Sequence, residues 1–178
     1  MSGQRRGQLQ LALIFAGFLL PLLIAGSMYR WQFWLPESRT YHGQLLGDGV
    51  GRADLGVSAR ESGWQLLVTT PGACTQSCLH LVYLARQIHL ALGRDAGRAS
   101  HALASGVALD IHALPGYPWL RRYTLDLQRY RQRVPGDDQP RLWIVDPHGN
   151  LVLEYDARVK GQDVLRDLRH LLKLSNIG

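Results

Sequence analysis

The sequence predicts an α/β domain, a mixed central sheet flanked by helices, behind one N-terminal transmembrane helix. Three observations carry this. Residues 9–29, LQLALIFAGFLLPLLIAGSMY, hold no charged side chain. From about residue 53 onward, apolar runs of strand length alternate with stretches of helical periodicity. The two cysteines of the chain, in PGACTQSCLH (71–80), stand where one such run ends and a helical pattern begins.

Twenty-one helical residues cover about 31 Å, close to one hydrocarbon core. Arg5 and Arg6 precede the apolar stretch, while Tyr29, Trp31 and Trp34 crowd its far end as interfacial aromatics do. The positive-inside rule then keeps residues 1–8 in the cytoplasm, makes 9–29 the anchor and sends the rest across, with Arg30 a small offset. Ala25-Gly26-Ser27 has the small residues of a signal-peptide cleavage site, but the apolar stretch is longer than a signal core and aromatic anchors follow it, so an uncleaved anchor is expected. The expected address is a bacterial inner membrane, crossed once, with the C-terminal domain in the periplasm.

The 178 residues leave room for one compact domain after the anchor. The net charge is +6, with 18 Arg and 2 Lys spread through helical and loop stretches alike, which argues against a nucleic-acid surface. Neither HExxH nor GxSxG occurs, and GDGVG (47–51) has no helix after it to cradle a phosphate.

Residues 30–52 read as a linker with an edge strand around Gln44 to Leu46. In the domain, 53–178, Leu55–Ala59 and Trp64–Thr70 around Glu61-Ser62-Gly63 suggest a hairpin whose second strand is apolar enough to be central. Pro71-Gly72 ends it. Leu79, Val82, Tyr83, Ile88 and Leu92 then share a face of a helix from Thr75 to Leu92, with Gly93 as its stop. A strand is expected at Ser100–Ala104 and a second amphipathic helix at Trp119–Arg131. Leu142–Val145 and Leu151–Tyr155 flank DPHGN (146–150), which has the residues of a hairpin turn. A last helix at Gln162–Leu174 puts Val164, Leu165, Leu168, Leu171 and Leu172 on one face.

This order, βαβ followed by ββα, is the plan of a thioredoxin-like fold. In such proteins a proline opens the strand facing the cysteine motif, and Pro140 stands directly before one, with a cis peptide bond expected. Cys74 falls at the edge of the first helix and Cys78 in its first turn. Residues four apart share a helical face at a backbone separation close to that of a disulfide. The helix N-terminus favours a thiolate at Cys74. Two such sulfurs suit a structural bridge, redox exchange or a soft ion such as Cu(I).

With C-x-x-x-C after a central strand in an exported, singly anchored domain, the chain from about residue 60 to 175 resembles the Sco/SenC family of cytochrome c oxidase assembly factors. The resemblance implies copper carried by Cys74, Cys78 and a distant histidine, and a cytochrome c oxidase subunit or other membrane-bound client as partner. It also meets a departure. Counting back from DPHG places Asp138 where the family has its histidine, and no histidine occurs from Asp137 to Val145. His80, His101 and His112 remain as possible third ligands, and His148 reads as a solvated turn residue. Pro140 is closer to thiol-disulfide oxidoreductases of the TlpA or ResA kind, the competing enzymatic reading. A third is a non-catalytic interaction module with a fixed disulfide.

Overall fold

The structure, a computed structural model, describes residues 3–31, 41–47, 49–58, 61–108, 119–136 and 138–175. The chain divides into two units, residues 1–39 and 40–178. The first contains α1 (Gly3–Trp31), a 29-residue helix that runs through Pro21. Its apolar side chains from Leu13 to Ile24 are exposed. Among the described residues no helix is long and apolar enough to cross a membrane.

In the second unit six strands form one sheet, in the order β1-β6-β5-β2-β3-β4. They are β1 (Gln44–Leu45), β2 (Trp64–Thr70), β3 (Ala99–Ser105), β4 (Arg121–Thr124), β5 (Arg141–Val145) and β6 (Leu151–Tyr155). Parallel pairing of β2 with β3 and β3 with β4, and antiparallel pairing of β5 with β2 and β6, make the sheet mixed. The helices are α2 (Gln76–Ala91), α3 (Leu127–Arg133) and α4 (Gly161–Leu174). β2 is central, and all seven of its residues are buried. Its alternate side chains serve two cores: Leu66 and Val68 pack with residues of α2 and α4, Leu67 with Leu55, Tyr130 and Trp143 on the other face. This is the thioredoxin-like architecture the sequence predicts.

Several boundaries follow directly from local chemistry. Thr75 and Leu92 cap α2 where the periodicity places its ends. In the β5–β6 turn, Asp146 Oδ1 accepts from the backbone N–H groups of His148 and Asn150, each at 2.8 Å, and Gly149 takes φ +92°.

Three expectations are corrected. Of the strand expected at Leu55–Ala59, Leu55 and Gly56 lie in consecutive turns, with Leu55 N bonded to Arg52 O at 3.2 Å and Gly56 N to Ala53 O at 2.9 Å, residues 57 and 58 are in no strand, and Ala59 lies outside the described residues. Gly56, at φ +76°, lies so close to Asp126 that a Cβ there would sit 2.8 Å from its carbonyl oxygen, while Leu55 and Val57 still reach the core. The stretch Trp119–Arg131 is not one helix. β4 takes Arg121–Thr124, where Arg121 and Tyr123 bond Glu61, and the Asp126 carboxylate caps Gln128 N and Arg129 N to start α3. Pro140 immediately precedes β5 and is buried, but its peptide bond is trans, the isomer most X–Pro bonds favour.

The start of this unit is fastened by one buried carboxylate. Asp167, 1% exposed, accepts hydrogen bonds from His42 N (2.8 Å), Gly43 N (3.1 Å) and the Tyr155 hydroxyl (2.8 Å). A fourth comes from the His42 ring, whose Nδ1 lies 2.8 Å from Asp167 Oδ1. Arg166 donates to His42 Nε2 at 3.2 Å, so the imidazole proton sits on Nδ1, facing Asp167. Burial and the hydrogen bond to Asp167 raise the Tyr155 hydroxyl well above its ordinary range, which keeps it a donor.

Candidate functional site

The site forms where β2 ends. Thr70 is its last residue, and the following Pro71-Gly72 turn is tied to the end of the parallel strand β3. Gly106 N donates to Thr70 O at 3.0 Å, while the hydroxyls of Thr70 and Ser105 both donate to Gly72 O at 3.4 Å. A Cβ at Gly106 would overlap Pro71 O and the Leu127 side chain, so only glycine lets the two segments approach. Carboxyl ends of parallel strands are where α/β sheets commonly place their sites. In the antiparallel β2–β5 register, Thr69 faces Arg141, and one step further brings Pro140 beside the same loop.

The loop delivers Cys74 to the head of α2. Cys74 and Cys78 form a disulfide with a Cα–Cα distance of 5.1 Å. Their surroundings differ. Cys78 is 0% exposed within the core of Val68, Leu81 and Val82, whereas Cys74 is half-buried at its margin. The first turn of α2 carries no acidic residue and Thr75 contributes no side-chain cap, so nothing on the helix offsets its positive end beside Cys74. The solvent-facing side of the disulfide is therefore that of Cys74 and not that of Cys78.

Among the described residues, no three His, Cys, Asp or Glu side chains converge as a metal site. Asp138, at the position where the Sco/SenC resemblance expects a histidine, is 74% exposed and paired with Arg131 at 3.8 Å. His80 is exposed on α2 and His148 is exposed in the β5–β6 turn. His112 and Asp137 lie outside the described residues. His101 is on the α2 face of β3, but it meets His89 near the far end of α2. His89 is eleven residues beyond Cys78, about 16 Å along the helix, so His101 is removed from the cysteines as a third ligand. Among the described residues, the donors that reduction of the disulfide would offer a soft ion are the two thiolates, a set that suits two-coordinate Cu(I).

His101 is 4% exposed, and burial, with the charges of His89 and Arg86 nearby, lowers its pKa to about 4. Above pH 6.5 the ring is neutral in both folded and unfolded chains and costs nothing. As pH falls towards 4, the unfolded chain takes up a proton that the folded one refuses, so stability declines by about 3 kcal/mol. Urea unfolding at pH 7 and pH 4 tests this: His101→Gln is expected to lose that much less stability on acidification than the parent.

Sequence reasoning missed the Ser105–Gly106 tie and the His89–His101 pair. The available signals were the alternation of His101 with Ala99 and Leu103, and His89 falling four residues after Ala85 on the apolar stripe of α2.

Residues 64–175 match the family described as transmembrane-like, thioredoxin-like, C-terminal domain, and residues 2–32 match the transmembrane-like N-terminal domain. No curated protein matches the sequence. Among solved structures, Arabidopsis thaliana ScoI with copper bound superimposes with a TM-score of 0.51 at 11% identity, over 65% of this chain and 87% of that one. Yeast Sco1 with copper bound gives 0.50 at 13% identity, over 65% and 81%. At this identity the likeness is one of fold, and the fold is Sco-like. The N-terminal match points to membrane association.

Proposed function

Because the chain belongs to the family of transmembrane-like proteins with a thioredoxin-like C-terminal domain, we propose that it is a membrane-tethered, Sco-like thiol factor acting on the periplasmic side of a bacterial inner membrane. Its Cys74–Cys78 pair cycles between disulfide and dithiol. As the dithiol, it holds Cu(I) between two thiolates for transfer, or reduces the cysteines of a cytochrome c oxidase subunit or another membrane-bound client. The observation that carries this reading is the unequal burial of the two sulfurs at the head of α2.

In the reductive direction, the Cys74 thiolate attacks a client disulfide and one client thiolate leaves. Cys78 then attacks Cys74 of the mixed disulfide and the second client thiolate departs. Two electrons pass from the pair to the client, and the two cysteine protons are released to solvent or to the client thiolates. In copper transfer no electron moves: a client thiolate displaces Cys74 from Cu(I), and the ion passes by ligand exchange to the site of higher affinity. Arg5 and Arg6 ahead of an uncharged stretch support the orientation, and tethering raises the local concentration of the domain beside a membrane-bound client.

Thiol exchange as the main activity, the TlpA or ResA kind of reading, is favoured by the surface ion pair of Asp138, which leaves no histidine at that position to complete a three-ligand copper site. Anaerobic Cu(I) titration of the reduced full-length protein against a competing chelator decides between the two. Cu(I) carriage predicts one more equivalent bound than by the Cys74→Ser/Cys78→Ser variant; equal stoichiometry removes copper and leaves exchange.

A further inference from the structure

Away from the cysteines, the outward side of α4 is basic. Gln162, Arg166, Arg169 and Lys173 are exposed and fall within about 60° of one another around the helix, while Val164, Leu168 and Leu171 are buried on its other side. With Leu165 and His170 they line one shallow groove. Neither carboxylate of α4 cancels the stripe: Asp167 is buried, and Asp163, part-buried, stands at its flank 3.7 Å from His42 Nε2. The acceptors that Arg166 and Arg169 hold, His42 Nε2 at 3.2 Å and Ala91 O at 2.7 Å, are uncharged, so both guanidiniums keep their charge for a ligand. Two exposed leucines stand beside these cations, Leu174 next to Lys173 and Leu90 next to the Ala91 that Arg169 holds.

The chain enters this unit along the same helix. His42 and Gly43 are fastened to Asp167, and the Tyr41 ring meets that of His170 edge-on at 5.5 Å. Nine residues, 32–40, separate Trp31 from Tyr41, a reach of no more than about 35 Å. We propose that this stripe of α4 docks on the surface of the bilayer that holds the protein, its partner being anionic phospholipid. The proposal rests on the membrane-tethered reading above. Cations beside exposed leucines on one side of an amphipathic helix are the composition of an interfacial contact, and each cation near an anionic surface adds attraction that salt screens. The tether makes the contact intramolecular, so a weak attraction suffices. Docking also sets how the thiols are presented. α4 runs alongside α2 in the same direction, since a Cβ at Gly161 would lie 3.4 Å from the Leu84 side chain and Arg169 reaches Ala91. Cys78 precedes Leu84 by six residues, about 9 Å along α2, so the cysteine end projects past the start of α4 and stays uncovered for a membrane-bound client.

The test uses full-length protein carrying Cys74→Ser/Cys78→Ser and one reporter thiol, Gln162→Cys, reconstituted into vesicles of phosphatidylcholine with or without phosphatidylglycerol. The reporter is alkylated with an uncharged maleimide. Docking predicts a rate slower by more than about tenfold when phosphatidylglycerol is present, recovered in high salt. Arg169→Gln/Lys173→Gln, with folding checked by circular dichroism, is expected to recover it too. A reporter at Gln132→Cys, exposed on α3, which packs on the other face of the sheet through Tyr130, is expected to react alike in both vesicles. Equal Gln162→Cys rates in the two vesicles, or slowing that salt or the α4 variant fails to relieve, overturns the proposal. Flotation with vesicles of phosphatidylcholine alone tests the tether by itself, because it needs no anionic lipid. Protein that does not float overturns the tethered reading and the docking together, whereas protein that floats but gives equal rates overturns the docking alone.

Discussion

With Cys78 replaced by serine, Cys74 is expected to form a stable mixed disulfide with an added dithiol or client peptide; with Cys74 replaced, Cys78 is expected to stay almost inert. The difference comes from burial. Thiol exchange needs an in-line approach of thiolate to sulfur, and Cys78 is sealed at 0% exposure among Val68, Leu81 and Val82 while Cys74 sits at the edge of that core. The helix end next to Cys74, free of acidic side chains, further favours its thiolate. The two single variants should therefore differ in alkylation rate by roughly 100-fold or more, read by mass spectrometry on native protein. Equal rates would mean that the two sulfurs are equally accessible in solution, and the assignment of Cys74 as the attacking group would fall.

Gly106→Val is expected to destabilise the domain by about 1–3 kcal/mol and to slow exchange at Cys74 as well. A Cβ at residue 106 would overlap Pro71 O and the Leu127 side chain, and the Gly106 N–H holds Thr70 O, so a side chain there forces the β2–α2 loop off the end of β3. Gly72→Ala is the control within the same loop. A Cβ at Gly72 meets nothing within 4 Å, so stability should change by less than about 0.5 kcal/mol and exchange should be unaltered. Equal effects of the two substitutions would show that the tie between the strand ends does not set the position of Cys74.

These two results separate what the sequence carries locally from what only the fold supplies. The ends of α2 were legible because Pro71-Gly72 stops a strand and Gly93 stops a helix, and both signals act within a few residues. The β5–β6 turn was legible for the same reason. β4 and α3 were not: the helical spacing across Trp119–Arg131 concealed a strand held by Glu61, about sixty residues away, and the Asp126 cap is the local signal that was passed over. Leu55 and Val57 alternate as a strand would, yet Gly56 at positive φ turns the chain there. The site divides in the same way. The cysteine spacing announced itself, whereas the clamp on their loop comes from Ser105 and Gly106 some thirty residues later, and the His89–His101 pair depends on how α2 crosses β3.

The direct test of whether this protein works through its thiols is the redox equilibrium of the Cys74–Cys78 pair. Full-length protein is equilibrated in dithiol buffers of graded potential, trapped by alkylation and weighed. The account predicts a single two-electron transition, complete in both directions, with the dithiol protein still folded. A bridge that stays closed in the most reducing buffer, or opens only as the domain unfolds, would make it a structural staple and contradict both copper carriage and thiol exchange.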